Sequence, residues 1–96
     1  MSKAFEKLVK EAIDNNCNII ELDNESDGFT VFLISQGSGF PADLESKQIF
    51  EVFSFLRKVK KTRGDFKYNV DDRDYNFNVK FRSDFGEEVF TIKIEI

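Results

Sequence analysis

The chain has no histidine, one cysteine and one proline in 96 residues. Without histidine, the usual serine and cysteine triads lose their base, and the commonest transition-metal ligand is gone. Cys17, alone, excludes an internal disulfide and agrees with a reducing compartment. Its expected role is that of a small buried hydrophobe. No apolar run approaches the roughly 18 residues that would cross a bilayer, so membrane insertion is not expected. The start, MSKAFEKLVKEAI, scatters charge and offers no small-residue cleavage site, so no secretory signal is read and the expected location is cytoplasmic. A positive field is lacking as well. With a formal net charge of −4, the chain has little to offer a phosphate backbone, and nucleic acid is not an expected partner.

What is present suits one α+β domain with a single two-layer core. Phe5, Leu8, Val9, Ala12 and Ile13 recur at helical spacing, which predicts a first helix over about residues 3 to 15. Ser2 is its expected N-cap and Asn15-Asn16 its stop. A strand over about 18 to 23 and the segment FTVFLIS, joined at Asp27-Gly28, read as a hairpin over 18 to 35. Phe29, Val31 and Leu33 take one face of its second strand, and Phe32 and Ile34 the other, so both faces are expected to be covered. QGSGFP then ends the strand. Asp43 is the expected cap of a second helix, with Ile49, Val52, Phe53, Leu56 and Val59 as its buried stripe and Gly64 as its stop. Three alternating segments follow, separated by DDRD and SDFGE. The expected architecture is therefore two helices on an antiparallel sheet of about five strands, in the order α-β-β-α-β-β-β.

Candidate sites are few. Asp23, Glu25, Asp27 and Gly28 match the first positions of a calcium loop, but its bidentate glutamate falls on Ile34 and the flanks read as strands. The stretch is expected to be a solvated acidic turn rather than a metal site. Arg57 to Arg63 holds five cations in seven residues, placed to compensate a helix C-terminus. DDRD at 71 to 74 reads as a tight turn. Of twelve phenylalanines, Phe32, Phe40, Phe55 and Phe85 fall off the main stripes or inside turns, where exposed apolar surface marks a partner interface.

The segment AIDNNCNIIELDNESDGFTVFLISQG resembles the start of the domain that precedes the motor in type II secretion and type IV pilus assembly ATPases. That family reads Ala-Ile, a spacer, Ala-Ser-Asp-Ile-His-Ile-Glu-Pro, then Gly-x-x-Val-Arg-x-Arg-Ile-Asp-Gly. Ala12-Ile13, Ile20, Leu22, Gly28, Val31 and Gly37 fall on matching positions. FNVKFRSDFGEEVFTIKI resembles the closing segment of that domain, with Arg82, Gly86 and Glu87 on its pattern. The resemblance implies a PAS-like domain packed against motor domains in a hexamer, with arginines reaching the nucleotide. Here Phe32 and Ile34 stand where the family has its two hairpin arginines, Ile19 replaces its aspartate and Glu21 its histidine, and only Arg82 remains. Loss of those cations removes the donors a phosphate needs, so no cofactor is expected. No Gly-x-x-x-x-Gly-Lys-Ser/Thr loop occurs in the sequence either.

The expected function is that of a non-catalytic protein-interaction domain, with Phe32, Ile34, Phe40, Phe85 and Arg82 as interface candidates. A secretion or pilus ATPase, or another copy of the chain, is the partner implied. The alternative is a small acidic binding protein, such as a phage or host-interaction factor, docking a basic partner through Glu21, Asp23, Glu25 and Asp27. No catalytic residue is assigned.

Overall fold

The computed structural model describes residues 2–25, 28–62 and 65–95. Helix α1 spans Lys3–Asp14 and buries Phe5, Leu8, Val9 and Ala12 of the stripe that its sequence spacing predicts, with Ala4 added and Ile13 only partly buried. The Ser2 hydroxyl accepts the Phe5 N–H at 3.0 Å, which is the expected N-cap. Past the helix, Asn16 takes φ 58°, a left-handed conformation that a short amide tolerates, so the stop is also where the sequence puts it.

The strands are β1 Ile19–Glu25, β2 Gly28–Ser35, β3 Ser38–Pro41, β4 Asp65–Val70, β5 Arg73–Asp84 and β6 Glu87–Glu95, with helix α2, Ser46–Thr62, between β3 and β4. They form one six-stranded sheet in the order β3-β2-β1-β6-β5-β4. All five pairings are antiparallel. The α+β class holds, and the expected five strands become six. QGSGFP does not simply end a strand: Gln36-Gly37 makes a tight turn, and β3 pairs back along β2 with Pro41 opposite Phe32. An edge position is where a strand accommodates proline. Three such two-residue turns, Gln36-Gly37, Asp71-Asp72 and Phe85-Gly86, have positive φ at both residues (45° and 83°, 53° and 63°, 49° and 84°). That is the primed turn whose twist matches an antiparallel hairpin, and it bears out the reading of DDRD as a tight turn.

One face of the sheet carries the core. Ile20, Leu22, Val31, Leu33, Phe77, Phe90, Ile92 and Ile94 are buried with the inner sides of α1 and α2. Helix α2 contributes Val52, Phe53 and Leu56, while Ile49 packs on the margin. Its start differs from expectation. Asp43 lies between β3 and α2, three residues before the first helical residue Ser46, and its N–H donates to both carboxylate oxygens of Glu11 (3.1 and 3.0 Å). The cap is Glu45, whose N–H donates to Gln48 Oε1 at 2.9 Å and whose carbonyl accepts the Ile49 N–H. Gly64, the expected stop, lies outside the described residues.

Glu51 ties the two helices together. Its Oε2 accepts the Ala4 N–H at 2.9 Å and the Ser2 hydroxyl at 3.0 Å, placing a carboxylate at the N-terminus of α1. Those donors, Ala4 first, hold its carboxyl below the ordinary glutamate value of 4.5. A depressed folded pKa gives stabilisation that is present above the unfolded value and lost as pH falls through the folded one. Glu51→Gln is expected to be less stable than wild type at neutral pH and to approach it in acid, a convergence that urea midpoints at the two conditions will read.

Candidate functional site

The sheet face opposite the helices has no described element over it. Across it the register runs Pro41, Phe32, Glu21, Thr91, Lys80 from β3 to β5. The row on one side is Gly39, Ile34, Ile19, Lys93, and on the other Thr30, Asp23, Val89, Arg82. Phe32 is 40% exposed. The second strand of the hairpin is therefore apolar on both faces, as its sequence says, but the described residues cover only one of them.

The acidic stretch corrects a second expectation. Glu21, Asp23 and Glu25 belong to β1 and do not form a turn; their period of two is the outward side of a strand. Asp27 lies outside the described residues. The apolar and acidic candidate surfaces are consequently one surface, with Phe32 directly opposite Glu21. Towards β5 the charge reverses at Lys80 and Arg82, which with Glu21, Val89 and Thr91 line a shallow hollow of about 360 Å³. Arg82 thus stands on the same face as Phe32, three strands away in the sheet order.

Asp23, Glu25 and Glu87 bring carboxylate oxygens within 4.8 Å of one another. Asp23 Oδ1 is buried without a hydrogen-bond partner. Glu87 arrives from β6, so this grouping is not the one a calcium-loop spacing selects. Hard oxygen donors suit calcium or magnesium, although calcium takes about six to eight of them.

The phenylalanine candidates separate. Phe40 is 38% exposed but pairs with Leu33, which puts it on the helix side of β3, away from Phe32. Phe85 is fully exposed at the tip of the β5–β6 hairpin. Phe55 is partly buried and packs against the core, its ring 4.9 Å from Phe5. The exposed aromatic that sequence reasoning missed is Phe50, 58% exposed and edge-on to Phe29. It follows Ile49 on the margin of the buried stripe, where spacing alone does not separate core from rim.

The basic run also hides a structural residue. Arg57 grips Glu88 through Nη2–Oε1 at 2.6 Å and Nε–Oε2 at 3.2 Å, while Asn24 donates to the same Oε1 at 3.1 Å. Charge pairing thus ties α2 to β6, while the guanidinium, 5.7 Å from the ring centre of Phe53 one turn back on the same helix, is steadied by a cation–π contact. Allowing for its partial exposure, Arg57→Ala is expected to cost about 1.5 kcal/mol in urea unfolding. Lys58→Ala on the same turn should cost little.

Cys17 is buried, its thiol donating to the Asn15 carbonyl at 3.6 Å, and burial pushes that thiol up, away from the thiolate a nucleophile needs. Among the described residues no helix is long and apolar enough to cross a membrane. No family model matches the chain, and neither does any curated protein.

Proposed function

We propose that the chain is a non-catalytic protein-binding domain that docks its partner on the outer face of the sheet. The observation that supports this most is Phe32, 40% exposed on the strand next to the β3 edge, with Pro41 and Glu21 as its cross-strand neighbours. Ile19 and Ile34 sit opposite each other in the next row, so apolar area is continuous over three strands. A pleated face with an aromatic and aliphatic area over β3 to β1 and charges beside it from β1 to β5 has the make-up of an interface.

The resemblance to the pre-motor domain of secretion and pilus ATPases supplies the first partner to test, a motor of that family in the cytoplasm. Where that domain carries arginines for a nucleotide, Phe32 and Ile34 would here meet protein. A second copy is less well matched to this face. A two-fold axis that stacks Phe32 on its own copy also brings Glu21 towards Glu21, a like-charge approach. The acidic reading keeps a place because Glu21, Asp23 and Glu25 edge the same surface.

Salt separates the two. Tagged chain is used to capture partners from lysate at low and physiological salt, with Phe32→Thr alongside, and each captured protein is purified and rebound. Binding lost in Phe32→Thr and indifferent to salt fits the apolar interface. Binding that survives Phe32→Thr and washes off with salt would replace it with acidic docking.

A further inference from the structure

We infer that Phe85 is a docking knob, a ring carried on the β5–β6 hairpin tip that inserts into an apolar pocket with a cationic rim on a protein partner. The inference rests on the protein-binding reading but not on the Phe32 surface. Phe85 is 100% exposed and held at φ 49°. A left-handed conformation is unfavourable for a bulky side chain, and a type I′ turn selects asparagine, aspartate or glycine at this position. The two sister turns place polar residues there, Gln36 and Asp71. Phe85 breaks the rule twice, in backbone conformation and in exposure. Among the described residues it makes no ring–ring contact, whereas most of the other phenylalanines do. A local rule broken with no gain to the fold marks a residue retained for contact with something else.

Charge selects the class of that partner. Glu87 follows the tip by two residues, and its carboxylate stands within 4.8 Å of those of Asp23 and Glu25. Three carboxylates against the guanidinium of Arg82, three residues before the tip, leave this end of the hairpin net acidic, which disfavours an anionic bilayer and a phosphate backbone alike and attracts lysine and arginine. An exposed aromatic seated in a pocket inside a ring of polar contacts is the usual anchor of a protein interface.

Two measurements test the knob. Phe85→Asn supplies the residue the turn prefers, and its melting temperature is expected to rise by about 4 °C; an unchanged or lower value would give Phe85 a part in the fold and overturn the proposal. A photoreactive p-benzoylphenylalanine at position 85 is then irradiated in lysate, in otherwise wild-type chain and in Phe32→Thr. The expected adduct is to a protein, at an apolar segment flanked by lysine or arginine, and that protein once purified should bind Phe85→Asn at least tenfold more weakly. An adduct to nucleic acid, to phosphatidylglycerol vesicles added as a probe or to another copy, no adduct, or unchanged affinity of Phe85→Asn would each overturn it. An adduct that persists in Phe32→Thr upholds the knob while removing the outer face as the docking site; loss of binding in Phe32→Thr with full affinity in Phe85→Asn does the reverse.

Discussion

Phe5→Ala is expected to lower the melting temperature by roughly 20 °C, the largest effect of any single substitution proposed here. Phe5 is fully buried on α1. Its ring lies 4.9 Å from Phe55 of α2, 5.9 Å from Phe66 and 5.4 Å from Tyr68 of β4, and 5.4 Å from Phe77 of β5. One side chain thus joins both helices to the far edge of the sheet. Truncating a buried phenylalanine costs about 3–5 kcal/mol through lost transfer energy and the cavity left behind. Against a domain stability of about 5–15 kcal/mol, that leaves little margin. Edge-on ring pairs, worth about 0.5–1.5 kcal/mol each beyond burial, place the cost towards the upper end. Thermal unfolding followed by far-UV circular dichroism reads it, with Phe50→Ala as the control. Phe50 is 58% exposed, and its loss should move the transition by only a few degrees.

Phe32→Thr is expected to leave the fold intact and to weaken partner binding about thirtyfold, which corresponds to about 2 kcal/mol, the scale of an aromatic anchor at an interface. Threonine is the better probe than aspartate. It keeps the strand preference of a β-branched residue, whereas Asp at 32 would sit opposite Glu21 and add a repulsion unrelated to the partner. A large fall in melting temperature would show that Phe32 serves the chain's own packing, and its loss of binding would then say nothing about the interface.

Local pattern made part of this fold legible. The α1 stripe, the Ser2 cap and the alternation in β5 and β6 are set by neighbours within a few positions, and each appears as read. The sixth strand did not show, because all four residues of β3 are exposed and two of them are a glycine and a proline, which punctuate strands. Only backbone pairing with β2 defines it, and a hydrophobic pattern cannot report backbone pairing. The start of α2 was misplaced for a related reason. Asp43 has a capping side chain, but the helix begins at Ser46 with the Glu45 N–H held by Gln48, and Glu11, 32 residues before Asp43, binds the Asp43 N–H. Arg57 looked like one cation in a run until the fold brought Glu88 beside it, 31 residues away.

The site was half legible. Alternation assigned Phe32 and Ile34 to one face, but not what covers that face. Glu21, Asp23 and Glu25 have the spacing of an outward strand face, and the adjacent Asp27-Gly28 pair drew them into a turn instead. Glu87 joins Asp23 and Glu25 only through the β1–β6 pairing, a contact no local pattern carries.

The most direct test of the outer face as a protein-binding surface is titration calorimetry of a purified captured partner against wild type and Phe32→Thr, at low and physiological salt. The apolar interface predicts an affinity that falls about thirtyfold on substitution and holds across salt. Equal affinity for the two chains would contradict it.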